Sequence, residues 1–369
     1  MARPERRPPG RTLPEFPWDT LAEPRTRARA HPDGLVDLTV GTPVDPVAPV
    51  VRDGLAEASA EPGYPTTVGT PALRRAAVDA LGRRFGVTGL SVEAVLPAIG
   101  TKELIAGLPT QLGLGPGHTV VIPEIAYPTY EVGALLAGAT VVRADSLMQL
   151  GPSSPALLYL NSPSNPSGKI LGVDHLRKVV GWARDRGVIV AADECYLGLV
   201  WEGEAPSILD PRVSEGDHRG LLALHSLSKT SNLASYRAGF VAGDESLIDD
   251  LLTVRKHAGL IVPTPVQTAM TAALADDAHE AEQRERYRAR RDQLLPAVEE
   301  AGFRIDYSEA GLYLWATRDE YCRDTVDWFA ERGVLVAPGE FYGPAGARHV
   351  RIALTATDAT IAEAVRRLA

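Results

Sequence analysis

From about residue 70 to residue 245, short apolar runs alternate with segments that have helical amphipathicity. The segment Val173–Arg186, followed by Gly187, fits a helix between two such runs. The runs are Thr119–Ile122, Thr140–Arg143, Ala156–Leu160, Val188–Ala192, Leu221–Leu224 and Gly239–Ala242. Because they lack polar alternation, we expect strands that are buried on both faces. This order of elements predicts an α/β fold with a mainly parallel sheet wrapped by helices, and such sheets bind ligands at the carboxyl ends of their strands.

The pattern changes after about residue 270. We predict a long charged helix at Ala278–Glu300, and then short strands and helices around Arg304, Leu312–Trp315, Tyr321–Arg332, Val350–Leu354 and Asp358–Leu368. This mixture is typical of a smaller α+β domain. A chain of 369 residues is longer than one core usually serves, so we predict a large domain over 45–265 and a small domain built from 13–44 with 266–369. The basic, Pro-rich leader at 1–12 is predicted to be disordered.

Net charge and cysteine content exclude several classes of protein. A formal net charge of −9 argues against a basic nucleic-acid-binding face. No apolar run approaches the roughly 20 residues that span a bilayer, and the two cysteines, Cys195 and Cys322, suit a reducing cytoplasm. The histidines lack metal-binding spacing, and a solvated helix start is predicted for Asp276, Asp277, His279 and Glu280. We therefore predict a cytoplasmic protein with no nucleic acid, membrane or metal as a partner.

A lysine follows the predicted strand Leu221–Leu224, in the sequence Ser226-Leu-Ser228-Lys229. A lysine amine can condense with an aldehyde cofactor where its surroundings keep part of it neutral. The hydroxyls of Ser226 and Ser228, with Arg237 eight residues beyond the lysine, could hold a phosphate dianion. Alone, the motif also fits a surface lysine in a Ser-rich turn. It is also the nucleophile motif of penicillin-recognising acyl transferases, but the Lys-Thr-Gly strand that these require is missing.

Polar residues also follow two other strands of the predicted sheet. Asp193 comes directly after the run Val188–Ala192, where a buried carboxylate needs a partner such as a protonated pyridine nitrogen. Tyr196 could donate a hydrogen bond to the phenolic oxygen of the same ring. Asn165 lies in the loop 161–168, where two Xaa-Pro steps exclude helix and hold the amide as a fixed donor. An ordinary strand-end turn is the alternative for Asp193.

Two further signals lie upstream. Gly100, Thr101 and Lys102 open a predicted helix, and backbone N–H groups at a helix start bind phosphate. Tyr127, in the sequence Tyr127-Pro-Thr-Tyr130, could stack on a flat heterocycle, with a position in the core as the alternative.

Taken together and in this order, these residues resemble the class I/II aminotransferases of the fold-type I pyridoxal-phosphate family, over about residues 36–368. The resemblance implies a seven-stranded sheet in a large domain that binds pyridoxal 5'-phosphate, with Lys229 holding the cofactor as a Schiff base. It implies that Asp193 partners the ring nitrogen and that Tyr196 and Asn165 donate to the ring oxygen. The remaining positions match residues that bind the ring or the phosphate: Gly100, Thr101, Lys102, Tyr127, Ser226, Ser228 and Arg237.

Three residues outside these motifs also match family positions. Gly41 resembles the glycine that lines the substrate carboxylate, and Arg351 resembles the arginine that grips the α-carboxylate with a two-pronged contact. Tyr64 resembles the tyrosine that reaches the phosphate of the neighbouring subunit, which implies a homodimer with shared sites. The implied partners are an amino-acid donor, expected to be glutamate, and a 2-oxo acid acceptor. Lys229 would act as base and then as acid.

Three segments look more specifically like the actinobacterial succinyldiaminopimelate aminotransferases of lysine and cell-wall biosynthesis: Phe16–Asp19, His225–Phe240 and Phe341–Thr357. This likeness implies transfer of an amino group between N-succinyl-LL-2,6-diaminopimelate and 2-oxoglutarate. The alternatives are an aspartate- or aromatic-type aminotransferase, a C–S β-lyase on the same fold, and a non-enzymatic ligand-sensing regulator. The distal end of an acidic substrate needs cations of its own, and candidates are Arg255, Lys256 and His257. A basic helix C-terminus is the alternative for these three residues.

Overall fold

The computed structural model describes residues 8–11 and 13–369. The predicted disordered leader therefore lies mostly outside the described residues, and the part inside them forms a single 3₁₀ turn at Pro9–Arg11. Within the described part of the chain, every helix is too short or too polar to cross a membrane.

The strands, in chain order, are β1 (Val36–Asp37), β2 (Val95–Ile99), β3 (Thr119–Ile122), β4 (Thr140–Arg143), β5 (Leu157–Asn161), β6 (Ile189–Asp193), β7 (Leu221–Ser226), β8 (Ala238–Gly243), β9 (Arg304–Ile305), β10 (Tyr313–Thr317), β11 (Val334–Leu335), β12 (Ala337–Pro338) and β13 (Val350–Ala353). The helices are α1 (Ala22–Arg29), α2 (Pro49–Glu57), α3 (Pro71–Phe85), α4 (Thr101–Gln111), α5 (Thr129–Ala137), α6 (Leu147–Leu150), α7 (Val173–Arg184), α8 (Pro211–Ser214), α9 (Glu245–Ala258), α10 (Thr264–Ala275), α11 (Ala278–Glu300), α12 (Cys322–Glu331) and α13 (Asp358–Leu368).

Seven strands form one sheet, in the order β2-β8-β7-β6-β5-β3-β4. The strands from β7 to β4 are parallel, whereas β8 runs antiparallel to both of its neighbours. The predicted α/β fold with a mainly parallel, seven-stranded sheet is therefore confirmed. Strand β2 is not among the predicted runs, because Pro97 interrupts its apolar pattern. Proline is tolerated there because β2 lies at an edge and pairs only with β8.

Strand β4 forms the opposite edge of this sheet and differs from the prediction. Thr140 is exposed and the other three residues of β4 are half-buried, so the expectation of burial on both faces is wrong for this strand. The helix predicted at Val173–Arg186 ends at Arg184, and the following Gly187 adopts a φ of +65°. That left-handed conformation ends the helix and favours glycine.

A second sheet, in the order β12-β13-β10-β9, is antiparallel and lies in the C-terminal part of the chain. The N-terminal segment joins it, because β1 pairs with β11 and the buried side chains of Leu21 and Leu38 share an apolar cluster with Phe329 and Trp315. These contacts agree with a small domain drawn from both parts of the chain. The boundaries at 45 and 265 stay a prediction.

The topology collects polar residues at one edge of the large sheet. Strands β5, β6 and β7 are neighbours, and the pairing of Asn161 with Asp193 aligns their carboxyl ends. Ser226 ends β7 beside them. The loops that follow these three strands therefore lie together, as expected for parallel strands.

Candidate active site

A cavity of about 500 Å³ lies at this edge of the sheet and extends to Arg351 on β13. Most of the predicted site residues line it: Gly41, Thr101, Lys102, Tyr127, Asn165, Asp193, Tyr196, Ser226, Ser228, Lys229, Arg237 and Arg351. The predicted residues outside its lining are Gly100, Tyr64 and the three candidates for the distal end of the substrate, Arg255, Lys256 and His257. Gly100 immediately precedes Thr101. The side chain of Tyr64 is fully exposed, at 100% of its reference area, and lies outside the cavity of its own chain.

The amine of Lys229 lies inside this cavity and donates a hydrogen bond to the backbone carbonyl of Gly41. Burial lowers the pKa of Lys229, and the nearby guanidinium groups of Arg351 and Arg237 lower it further. A lowered pKa increases the fraction of neutral amine, which is the form that attacks a carbonyl carbon and accepts a proton.

Asp193 presents a buried carboxylate at the end of β6. Its Oδ2 accepts a hydrogen bond from the Tyr130 hydroxyl at 2.7 Å, and its Oδ1 accepts one from the backbone N–H of Cys195 at 3.2 Å. Burial raises the pKa of Asp193, so the charged form needs a cationic partner in the cavity. Tyr130 lies three residues after Tyr127 in the sequence. The sequence alone does not reveal that its hydroxyl supports Asp193, because a tyrosine at this position could equally belong to the core.

The opposite end of the cavity has the features of a phosphate site. Gly100 directly precedes α4, with a φ of +74°. A Cβ atom on Gly100 would collide with the Arg237 guanidinium, 2.8 Å from its Cζ, so the guanidinium occupies space that only glycine leaves free. The first N–H groups of α4 and the Arg237 guanidinium thus converge beside the hydroxyls of Ser226 and Ser228. This donor set suits a dianion.

Replacing Gly100 by alanine should weaken cofactor binding. The added methyl group displaces the Arg237 guanidinium, and loss of one charge-assisted hydrogen bond corresponds to an increase of about tenfold in the dissociation constant. A fluorescence titration of the cofactor-free protein measures this constant. Gly86→Ala is the matched control, because Gly86 has a φ of +68° and open space around the site of its Cβ. Both variants should lose thermal stability, but only Gly100→Ala should lose affinity; equal affinities would contradict this account of the phosphate site.

Arg351 lies at the far wall of the cavity and is almost completely buried. Its Nη1 donates to Asn165 Oδ1 at 3.0 Å, and its Nη2 donates to the Thr39 carbonyl at 2.6 Å. Among the described residues no carboxylate lies within 4 Å of this guanidinium, and its buried Nε has no hydrogen-bond partner. A buried cation with only neutral partners is costly unless an anion binds there, so this end of the cavity suits a carboxylate.

Two aromatic residues and a lysine in the cavity have roles that the sequence left open. Tyr127 is half-buried and packs edge-on against Tyr130, with ring centroids 5.9 Å apart. Burial raises the pKa of Tyr196 well above its usual range, so this hydroxyl keeps its proton and can donate it. The ammonium of Lys102 lies 5.7 Å from the ring centroid of Phe16, so this side chain faces the N-terminal segment and not the phosphate end.

The N-terminal segment forms the solvent-exposed part of the cavity, which we call the mouth, and sequence reasoning missed its side chains. Phe16, Trp18 and Arg25 line the mouth together with Lys102. The rings of Phe16 and Trp18 are 5.5 Å apart, and Arg25 pairs with Asp37 at 2.6 Å. These residues reach the cavity only because the segment packs against the C-terminal part of the chain, and no local pattern signals such packing.

The prediction that Arg255 binds the distal end of a substrate is wrong. This side chain is fully buried, at 0% exposure, and pairs with Glu103 on α4 at 3.0 Å, outside the cavity. Lys256 and His257 are exposed in the last turn of α9 and do not line the cavity either. Lys256 and His257 therefore fit the alternative interpretation, in which basic residues lie at a helix C-terminus.

The predicted solvated helix start at α11 is also corrected. Asp276 Oδ2 lies 2.8 Å from His279 Nδ1, and His279 Nε2 lies 2.8 Å from the buried Ser231 hydroxyl. Glu280 pairs with Arg84 at 2.6 Å. His279 and Glu280 are therefore engaged in the interior, and they fasten α11 to the turn that carries the cavity lysine and to α3. In the described part of the chain, no group of three or more His, Cys, Asp or Glu side chains is arranged to hold a metal ion.

Lys229 follows β7, the fifth of the parallel strands, and shares a cavity with Arg351 of the second sheet, which has no anionic partner in the described part of the chain. This is the arrangement of a fold-type I pyridoxal-phosphate enzyme. The profile of the family described as "Aminotransferase class I and II" matches residues 33–368, and the chain belongs to that family. Its members depend on pyridoxal phosphate. The cavity fits this cofactor, because Asp193 offers an anion for the ring nitrogen and the turn at Gly100 offers donors for the phosphate.

Known relatives cover nearly the whole chain. A probable aminotransferase of Mycobacterium tuberculosis is 68% identical over 97% of this chain and 85% of its own length. The 4-dedimethylamino-4-oxo-anhydrotetracycline transaminase OxyQ of Streptomyces rimosus is 58% identical over 97% of this chain and 99% of its own length. Among solved structures, a probable N-succinyldiaminopimelate aminotransferase of Thermus thermophilus superimposes with a TM-score of 0.86 at 28% identity, covering 96% of this chain and 99% of the other.

Proposed function

We propose that this aminotransferase transfers an amino group between N-succinyl-LL-2,6-diaminopimelate and 2-oxoglutarate, with glutamate as the other amino acid of the pair. The observation that carries the proposal is the buried guanidinium of Arg351, which has no anionic partner among the described residues. Such a site favours substrates with an α-carboxylate in both half-reactions.

The residues of the cavity would act in sequence. When bound, pyridoxal phosphate supplies an aldehyde carbon that bonds to amines and a ring that withdraws electrons from the substrate Cα. Arg351 and Asn165 hold the α-carboxylate and thereby orient the Cα–H bond. The Lys229 amine would hold the cofactor and, once free, would take the Cα proton of the substrate and later give a proton back. The Asp193 carboxylate, whose pKa burial raises in the absence of a cationic partner, would lie against the ring nitrogen and stabilise positive charge there. Because the first product leaves before the second substrate binds, ping-pong kinetics follow.

The cations at the mouth support an acidic distal group. Lys102 is exposed beside Phe16, and Arg25 has one acidic neighbour, Asp37. A succinyl group that extends from the α-carboxylate site toward the mouth would bring its carboxylate to these two cations. The structurally similar protein of Thermus thermophilus is described as a probable aminotransferase of N-succinyldiaminopimelate, a substrate with such a distal carboxylate.

A second candidate is the amination of a fused-ring ketone. The relative that is 58% identical carries the name of an anhydrotetracycline transaminase. A fused-ring oxo acceptor offers no α-carboxylate to Arg351, but it could stack on the aromatic pair of Phe16 and Trp18 at the mouth.

Steady-state assays with purified enzyme and added pyridoxal phosphate separate these proposals. We expect kcat/KM for N-succinyl-LL-2,6-diaminopimelate with 2-oxoglutarate to exceed the values for aspartate and phenylalanine by at least about tenfold, because only the first substrate reaches the cations at the mouth. Preference for a 4-oxo-anhydrotetracycline acceptor would favour the second candidate. Release of pyruvate and ammonia from cystathionine would indicate a β-lyase. Double-reciprocal plots at several concentrations of the second substrate should give parallel lines, and intersecting lines would contradict the ping-pong scheme.

We also propose that the enzyme works in the cytoplasm as a homodimer with sites completed across the interface. The fully exposed aromatic ring of Tyr64 supports this, because a large side chain with no contacts in its own chain is typical of an interface residue. A catalytically competent monomer in analytical ultracentrifugation would contradict the shared site.

A further inference from the structure

Tyr313 is a buried residue of the cavity wall that none of the steps above uses. It begins β10, and the register with β13 sets Tyr313 opposite Ala353 and Trp315 opposite Arg351. Side chains two residues apart on a strand share a face, so Tyr313 and Arg351 are diagonal neighbours. The Arg351 guanidinium accordingly lies over the Tyr313 ring, 3.9 Å from its centroid.

The hydroxyl of Tyr313 lies at the centre of the site. It is 3.3 Å from the hydroxyl of Tyr196, at hydrogen-bond distance. It also fills the space beside Gly41, where a Cβ atom would collide with the hydroxyl and lie 2.8 Å from the Tyr313 Cζ. Gly41 is the residue whose carbonyl accepts the hydrogen bond from Lys229. The Tyr313 side chain thus contacts Tyr196, Arg351 and Gly41, the last of which holds the Lys229 amine through its carbonyl.

The charges around Tyr313 make its hydroxyl a stronger donor. Burial raises the pKa of a tyrosine, but Arg351, Lys229 and the hydrogen bond with Tyr196 outweigh burial and leave the pKa of Tyr313 below its ordinary value. Tyr196 has a single proton. If Tyr313 donates to the Tyr196 oxygen, the Tyr196 proton is left to point into the cavity.

We propose that Tyr313 is a positioning residue with two tasks. Its hydroxyl directs the Tyr196 proton toward the ring oxygen of the cofactor, and its ring holds the plane of the Arg351 guanidinium for the substrate carboxylate. The proposal rests on the cofactor of the family and is independent of which 2-oxo acid is the acceptor.

Two substitutions separate the two tasks. Tyr313→Phe removes the hydroxyl and keeps the ring. With a weaker donor to its ring oxygen, the bound cofactor should hold its proton more tightly, and the pH midpoint of the visible absorbance band should rise by about one unit, the equivalent of one hydrogen bond. The KM for glutamate should stay within about twofold, since the cation–π contact remains. Tyr313→Leu also removes the ring, so the KM for glutamate should rise about tenfold as well.

Two comparisons keep the test decisive. Tyr342 also lies beside Arg351, at 5.1 Å, but its buried hydroxyl has no partner among the described residues, so Tyr342→Phe should leave the midpoint unchanged. Tyr196→Phe should raise the midpoint at least as far as Tyr313→Phe, and the double variant should not exceed Tyr196→Phe alone, because both act through one proton. An unchanged midpoint in Tyr313→Phe, an equal shift in Tyr342→Phe, or additive shifts in the double variant would overturn the proposal. Melting temperatures identify any variant that is merely unstable.

Discussion

Replacing Lys229 by alanine should reduce transamination by at least about 10³-fold, because the amine is both the covalent anchor of the cofactor and the group that moves the Cα proton. The Lys229 amine supports this expectation, because it lies inside the cavity and donates to the Gly41 carbonyl. Desolvation and two guanidinium groups lower the pKa of this amine. Single-turnover absorbance measurements with glutamate report the loss directly, since they separate proton transfer from product release.

A second lysine serves as the control for the Lys229 variant. Lys256 is exposed on α9 and does not line the cavity, so Lys256→Ala should retain wild-type rates. Retention of more than about one tenth of the wild-type rate by Lys229→Ala would mean that another base performs the general-base step. Loss of activity in Lys256→Ala would return that residue to the list of substrate cations.

Replacing Arg351 by lysine should reduce kcat/KM for both glutamate and the 2-oxo acid by about 10²-fold, although the charge is kept. Lysine cannot reproduce the two-pronged contact with a carboxylate, and charged hydrogen bonds of this kind contribute about 1.5–3 kcal/mol each. The loss should appear mainly in KM, because the contact is made in the ground state as well as in the transition state. The decrease in kcat/KM should be equal in the two half-reactions, since both substrates present an α-carboxylate to the same arginine.

The matched control is Arg304→Lys, because Arg304 is an exposed arginine that pairs with Asp306 and Asp319 far from the cavity lining. Its kinetics should be those of the wild type. An Arg351→Lys enzyme with unchanged KM for glutamate would show that the carboxylate binds elsewhere. Unchanged turnover of a fused-ring ketone by the same variant would favour the second candidate function.

The sequence predicted those parts of the site that depend on strand order. Asn165, Asp193 and Lys229 each follow an apolar run, and parallel strands bring their carboxyl ends to one edge whatever the details of packing. Edge strands are harder to predict. Pro97 interrupts the apolar pattern of β2, and β4 is less buried than its apolar composition indicates. Both differences arise because an edge strand has a neighbour on one side only.

The rest of the site depends on contacts between distant segments, which local patterns do not encode. Phe16 and Trp18 reach the mouth through the packing of the N-terminal segment, and Tyr313 meets Arg351 through the register of two strands of the small sheet. Arg255 is not the substrate cation that its place in the sequence allows, because position along the chain does not reveal that its side chain turns inward to Glu103.

The most direct test of the central claim is the visible absorbance spectrum of the purified protein with pyridoxal phosphate, before and after addition of glutamate. The account predicts a yellow protein whose visible band bleaches when glutamate is added, with release of 2-oxoglutarate in an amount equal to the active sites, and no such change in Lys229→Ala. A protein that develops no visible band with pyridoxal phosphate, or whose band is indifferent to glutamate and to every other amino acid, would contradict an aminotransferase with Lys229 at its centre.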